Sequence, residues 1–175
     1  MYEDTGHEAF REAAREAMEH ENGLFDAAAG NWLDLREDAQ PAFRMNWCHG
    51  APGIGLARLG GLRSLDTSSV RRDVEAAIEA TLRSDREGPD HLCCGELGRT
   101  ELAGDRLGRS DLLDAGRARV ERVVARAAGA GGFTLHQYLP RDVYMPGFFM
   151  GLAGVGYEIL RAARPGLLPS VLLWE

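Results

Sequence analysis

A glycine step that recurs three times constrains this chain more than any other feature of its sequence. It appears as Gly50-Ala51-Pro52-Gly53-Ile54-Gly55, as Gly95-Glu96-Leu97-Gly98-Arg99-Thr100 and as Gly151-Leu152-Ala153-Gly154-Val155-Gly156. Each copy opens an apolar run with a G-x-x-G spacing. A glycine inside a helix costs about 1 kcal/mol against alanine, so three copies require a compensating reason. Close packing of helix starts, where a side chain would clash, supplies one. Repeats at this spacing predict helical hairpins stacked side by side, each unable to bury its apolar face alone. The competing reading, a dinucleotide-binding glycine loop, needs a preceding strand in a βαβ unit. No confident strand pair is legible.

The rest of the chain alternates with those steps. Charged amphipathic helices are predicted at 6–21, 64–86 and 111–128, and glycine-bearing apolar helices at 50–62, 94–107 and 147–161. Phe10, Ala13, Ala14, Ala17 and Met18 share one stripe of the first. Val70, Val74, Ala77, Ile78 and Leu82 form the apolar face of 64–86, with Asp66, Thr67 or Ser68 as its cap. Ser110 or Asp111 caps 111–128, whose Val120, Val123 and Val124 point inward. Gly23, Gly30, Asn31 and Pro41 break the period over 22–46, which reads as a loop, as does 129–146. Val171-Leu172-Leu173-Trp174 reads as a short extended run. The expectation is one all-α domain over residues 1–175, with three outer and three inner helices.

Charge narrows the partners. The chain carries 27 acidic and 20 basic residues, a net charge of −7, and every basic residue is arginine. A nucleic-acid footprint would be basic and clustered, so none is expected. Met1-Tyr2-Glu3-Asp4 lacks the basic start of a signal peptide. The most apolar stretch, 145–160, holds Glu158 and internal glycines, and a membrane span takes roughly 20 apolar residues. No membrane partner and a cytoplasmic location are expected.

The three cysteines are the chemistry-bearing candidates. An odd number cannot all pair within one chain, and a reducing cytoplasm disfavours disulfides. Cys48 precedes the first glycine step, and Cys93 and Cys94 precede the second. Neighbouring repeats set helix starts side by side, so the three sulfurs can converge there. Zinc binds thiolates at about 2.3 Å in a tetrahedral set, and three protein ligands leave its fourth position open. Helix N-termini also favour thiolates. Taken alone, these residues leave buried apolar thiols and a disulfide open as alternatives.

A family resemblance bears on that choice. Trp47-Cys48-His49-Gly50-Ala51-Pro52-Gly53 resembles the tryptophan-cysteine-x-glycine signature of lanthionine synthetase C-like proteins. Cys93-Cys94-Gly95 is similar to the cysteine-cysteine-glycine form of class II lanthipeptide synthetases, where class I cyclases have cysteine-histidine. Gly30-Asn31-Trp32-Leu33-Asp34-Leu35-Arg36 resembles the class II C-terminal region as well. So does the ending, with Met145-Pro146-Gly147, then 151–157, then Pro169-Ser170-Val171-Leu172-Leu173. The resemblance implies an α/α toroid of helical hairpins, with Cys48, Cys93 and Cys94 as zinc ligands. It implies a dehydrated precursor peptide as partner, whose cysteine thiol adds to dehydroalanine or dehydrobutyrine and closes a thioether ring. A free thiol with pKa near 8.5 is little ionised at neutral pH, and a coordinated one is deprotonated. A protonating group must then quench the enolate.

The resemblance also implies what is missing. A family ring has more hairpins than the three read here, and its catalytic aspartate and histidine lie in the N-terminal half. The chain is therefore expected to be an incomplete ring: a fragment, a remnant, or half of a two-chain enzyme. Its partner would be the other half, or a second copy meeting bare flanks at Phe10, Met18, Phe148, Ile159 and Leu160. His49, beside a ligand, is the candidate catalytic acid or hydrogen-bond donor, against a capping or packing role. His91 is a spare ligand or a solvated loop histidine, and His7, His20 and His136 read as surface or loop residues. Glu96 and Arg99 either line a central cavity or form a local ion pair. Trp47 reads as a packing residue before a substrate platform. Two rival functions remain: a zinc-stabilised peptide-binding module without chemistry, and a glutathione-handling protein, against which the class II signature argues.

Overall fold

The computed structural model describes residues 1–36, 42–85, 87–103, 107–136, 138–140 and 143–174. Among them, six α-helices carry the fold: α1 (Tyr2–Thr5), α2 (Glu8–Asn22), α3 (Ala51–Gly61), α4 (Ser68–Arg83), α5 (Ser110–Ala130) and α6 (Leu152–Ala163). The chain is all-α, as its periodicity predicts. None of these helices is long and apolar enough to cross a membrane. The predicted end of α4 at Arg86, the helix breaker Pro41 and residues 104–106 lie outside the described residues.

The charged helices pack as expected, with shifts at their ends. The Thr67 hydroxyl caps α4 by accepting from the Val70 N–H at 3.2 Å. Val70, Val74, Ala77 and Ile78 are buried, but Leu82 is exposed, and Thr81 takes the buried place with its hydroxyl on the Ala77 carbonyl at 2.7 Å. On α5, Val120 and Val123 are buried while Val124 faces out. In both helices the stripe drifts by one position because 3.6 residues per turn never repeats on a whole number. Amphipathic α2 buries none of its residues.

Three expectations are corrected. Residues 22–46 contain a small antiparallel sheet, β1 (Phe25–Asp26), β2 (Asn31–Asp34) and β3 (Ala42–Phe43), in the order β1-β2-β3. Phe25 pairs with Trp32 and Leu33 with Phe43. The second inner segment, read as a helix over 94–107, is instead two 3₁₀ turns in its described part, Leu97–Arg99 and Glu101–Ala103. Side-chain ties compete there with regular helix: Thr100 Oγ1 bonds the Leu97 carbonyl at 2.6 Å and Glu158 Oε1 at 2.5 Å, and Glu101 holds Arg161 at 3.0 Å and Ser170 at 2.6 Å. The Thr100 hydroxyl has one proton for two carboxylate or carbonyl oxygens. A proton on Glu158 satisfies both, and burial followed by the charge of Glu101 pushes that carboxyl up. Finally, Val171–Leu173 is a 3₁₀ turn rather than an extended run.

The glycine steps owe their existence to backbone crossings. A β-carbon on Gly53, Gly98 or Gly154 would sit 1.8 Å from the carbonyl oxygen of Trp47, Leu92 or Phe148, in each case the residue six positions earlier. At each inner start the chain folds back across itself, and only hydrogen fits between. The tightest crowding therefore arises inside each repeat, and neighbouring elements add to it at Gly55, where a β-carbon would meet Ala77 at 2.7 Å and Leu102 at 2.8 Å. Successive inner turns are laced together. The Cys48 N–H donates to the Cys93 carbonyl at 3.3 Å, and the Cys93 N–H to the Phe149 carbonyl at 2.9 Å. Each of these residues precedes its repeat's second glycine by five positions. Around this seam lie Ala51, Leu56, Leu92, Leu97, Leu102 and Val155, all nearly inaccessible.

Two alanine substitutions on α6 test this. Gly154→Ala places its β-carbon on a carbonyl and should cost about 3 kcal/mol or more. Gly156→Ala, on the same helix with no atom within 4 Å of its β-carbon, should instead stabilise by about 0.5–1 kcal/mol. Denaturant unfolding of both measures the contrast, and equal effects contradict the crossing argument.

Candidate metal centre

The seam brings the three cysteines together. Cys48 Sγ lies 3.2 Å from Cys94 Sγ, which lies 3.4 Å from Cys93 Sγ, and all three sulfurs fall within 4.8 Å of one another. They come from two repeats joined by the Cys48–Cys93 backbone bond. Tetrahedral zinc with bonds of about 2.3 Å sets its sulfurs about 3.8 Å apart, so the cluster needs only a slight opening to admit the ion. An all-sulfur set suits zinc or another thiophilic metal rather than magnesium or calcium. The cysteines are half-buried, which leaves one side of the cluster approachable.

The electrostatics favour a cation. Burial first, then the Cys94 and Cys93 thiols beside it, push the Cys48 thiol well above its ordinary range. Burial likewise pushes Cys93 up. Three thiolates so close would repel one another strongly without a positive charge among them. A divalent cation reverses that balance and holds coordinating thiols ionised.

Buried polar side chains fix the turns that carry the sulfurs. Asn31 of β2 is the main one: its Oδ1 accepts from the Trp32 N–H at 2.8 Å and the Ala51 N–H at 2.9 Å, and its Nδ2 donates to the Arg44 carbonyl at 2.9 Å. It thus ties the sheet to the first turn of α3. His91 is buried, which corrects its reading as a solvated loop residue. Its Nδ1 accepts the Cys94 N–H at 3.3 Å, and it stands outside the sulfur cluster. Burial pushes its pKa down, so the neutral ring that accepts this bond is favoured. Neighbouring Asp90 accepts from the Thr134 N–H at 2.6 Å and pairs with Arg126.

The remaining candidates divide cleanly. Glu96 and Arg99 form a buried local network: Glu96 meets Arg99 at 3.2 Å and Arg119 at 2.8 Å, while Arg99 Nε donates to the Met45 carbonyl at 2.7 Å. Trp47 stacks on Phe149 at 5.5 Å with its Nε1–H on the Leu172 carbonyl at 3.2 Å, and it also lines the cleft beside Cys48. His7 is exposed and His136 half-buried. His49 holds in the first repeat the position of Cys94 in the second, four before the glycine. It is half-buried and lines a cleft of about 440 Å³ with Cys48, Asp34, Arg36 and the exposed His20.

That cleft contains an arrangement the sequence shows only as a motif. Asp34, buried at the end of β2, accepts from Arg36 Nε at 3.0 Å, Nη2 at 2.7 Å and the Arg36 N–H at 3.1 Å. Arg44 Nε stands 3.7 Å from the same carboxylate. The Arg36 guanidinium beside it holds Asp34 well below the usual carboxylate range. Gly30-Asn31-Trp32-Leu33-Asp34-Leu35-Arg36 marks this strand in the sequence, but a polar strand at a domain edge looks the same whichever way its side chains turn.

Side-by-side helical hairpins with glycine-crowded inner starts, carrying a three-cysteine metal-type cluster where two of those starts meet, define a class of repeat protein. A sequence model of the lanthionine synthetase C-like protein family matches residues 1–173, and the chain belongs to that family. A search of curated proteins finds no match.

The depressed Asp34 carboxyl makes a pH prediction. An unfolded aspartate titrates near 3.9, so the ionised clamp contributes its full stability above about pH 5 and loses it as the pH falls through about 4 toward the depressed value. Asp34→Asn should flatten the acid limb of the stability–pH curve measured by denaturant unfolding. An unchanged acid limb counts against the clamp.

Proposed function

We propose that this chain is the metal-bearing part of a class II lanthipeptide cyclase, holding zinc through Cys48, Cys93 and Cys94. The observation that carries the reading is the convergence of three sulfurs from two repeats within 4.8 Å, in a member of the lanthionine synthetase C-like family. When bound, the ion supplies a Lewis-acid centre with an open fourth position for a substrate thiol. The substrate in this reading is a precursor peptide already dehydrated at serine or threonine, in a reducing cytoplasm that keeps thiols free.

The chain's own residues bind and orient. Asn31 and His91 hold the ligand turns in place. The cleft beside Cys48 receives the peptide. His49 is the local group proposed to move a proton, at its imidazole ring. The aspartate and histidine that the resemblance assigns to the ring's other half are taken here to come from that half. Residues 1–175 are accordingly proposed as the C-terminal part of a cyclase domain. The unburied stripe of α2 and the exposure of Phe10 and Leu160 support a covered flank there. Phe148, Ile159 and Met18 are partly covered already.

Metal analysis of the folded, reduced chain should find one zinc per chain. Cys94→Ala should lower zinc affinity by about 10-fold or more and lower stability with it. A reduced, folded chain without zinc contradicts the reading. The isolated chain should self-associate in light scattering, and should bind dehydrated peptide without rapid ring closure. A monodisperse monomer contradicts the flank argument. Rapid ring closure by that monomer would show that His49 or another local group replaces the missing pair, and would exclude a mere binding module.

A further inference from the structure

The Asp34–Arg36 clamp faces the same cleft as Cys48 and His49. Its geometry is that of a preorganised cation. Asp34 has only 2% of its side chain exposed, whereas Arg36 has 57%. The carboxylate grips Nε and Nη2 at 3.0 and 2.7 Å, and among the described residues this leaves both N–H groups of Nη1 for another acceptor. Glu21, the other carboxylate lining the cleft, is engaged elsewhere, 2.7 Å from Arg58 Nη1.

A planar donor fixed beside a nucleophile's position suits an oxygen that becomes negative during reaction. Ring closure generates such an oxygen. The peptide's sulfur bonds to the β-carbon of the dehydro residue, and the carbon–carbon π pair moves onto the α-carbon and its carbonyl oxygen as an enolate. A proton then returns to the α-carbon, replacing the one the thiol gave up. No oxidant or reductant enters.

Resting on the cyclase reading above, we infer that Arg36, locked by Asp34, is the group that binds the dehydro residue's carbonyl oxygen and stabilises its enolate. Asp34 is then a positioning residue, and Arg36→Lys, whose single ammonium nitrogen cannot reproduce the planar fork that locks the donor in place, is not a conservative change.

Binding of two peptides tests this without requiring turnover. One is a dehydrated precursor peptide. The other carries an anionic phosphonamidate in place of the dehydro residue's carbonyl, which puts full negative charge where the enolate oxygen forms. The zinc-loaded chain should bind the second about 100-fold more tightly, as expected of a charge-matched analogue. Arg36→Gln should reduce that preference to about 10-fold or less, weakening the second peptide far more than the first, with the zinc content unchanged. The double variant Asp34→Asn, Arg36→Gln leaves no buried carboxylate unpaired and should behave likewise, which guards against a folding defect. If the preference survives in both variants, the Arg36 assignment is overturned while the cyclase reading stands. If the unaltered chain binds neither peptide, the cyclase reading falls and the assignment falls with it.

Discussion

The site depends on a backbone crossing. At each inner start the carbonyl of one residue lies so close over the glycine six positions later that no β-carbon fits. That contact folds the turn before each inner start back onto the segment that follows it. Once folded back, the turns of successive repeats stand in register, and their backbones bond from Cys48 to Cys93 and from Cys93 to Phe149. The cysteines converge because they occupy these laced turns. The third repeat keeps the backbone pattern and changes the chemistry. Phe149 stands where Cys48 and Cys93 stand in the other two, and it stacks on Trp47 and leans on Trp174. An apolar wall thus closes the seam on that side.

Most buried polar groups around the seam are satisfied by the turns themselves, although the Trp32 indole N–H finds no partner among the described residues. Asn31 spends both its oxygen and its nitrogen on backbone groups of three different segments. His91 offers a ring nitrogen to the Cys94 N–H. Glu96 pairs with both Arg99 and Arg119 behind the second glycine step. A buried polar group without a partner costs about 1–3 kcal/mol, so these pairings are what allow ionisable side chains this close to a cluster of thiols. The thiols themselves are the exception. Burial and mutual proximity drive them toward the neutral form, a tension that a bound cation relieves.

The sequence makes the repeat and the cysteine cluster legible because both are local and repeated. Three G-x-x-G steps with the cysteines immediately before two of them specify the seam without any knowledge of tertiary contacts. The helices at 64–86 and 111–128 are legible for the same reason, through their periodicity. What stays hidden depends on distant partners. The second inner segment has helical composition, but Glu158, Arg161 and Ser170 pull Thr100 and Glu101 into 3₁₀ turns. The strands at Phe25–Asp26 and Ala42–Phe43 are two residues each, too short for a period to show. His91 looks like a loop histidine because its burial comes from the whole assembly, and the Asp34–Arg36 grip is invisible until the strand's direction is known.

The central claim is that three cysteines hold a metal whose fourth position is open to a thiol. X-ray absorption at the zinc edge, on the metal-loaded chain, measures this most directly. The account predicts three sulfurs at about 2.3 Å and one lighter ligand, changing to four sulfurs when a cysteine-containing peptide is added. A site already closed by four protein ligands, or one without sulfur, would contradict it.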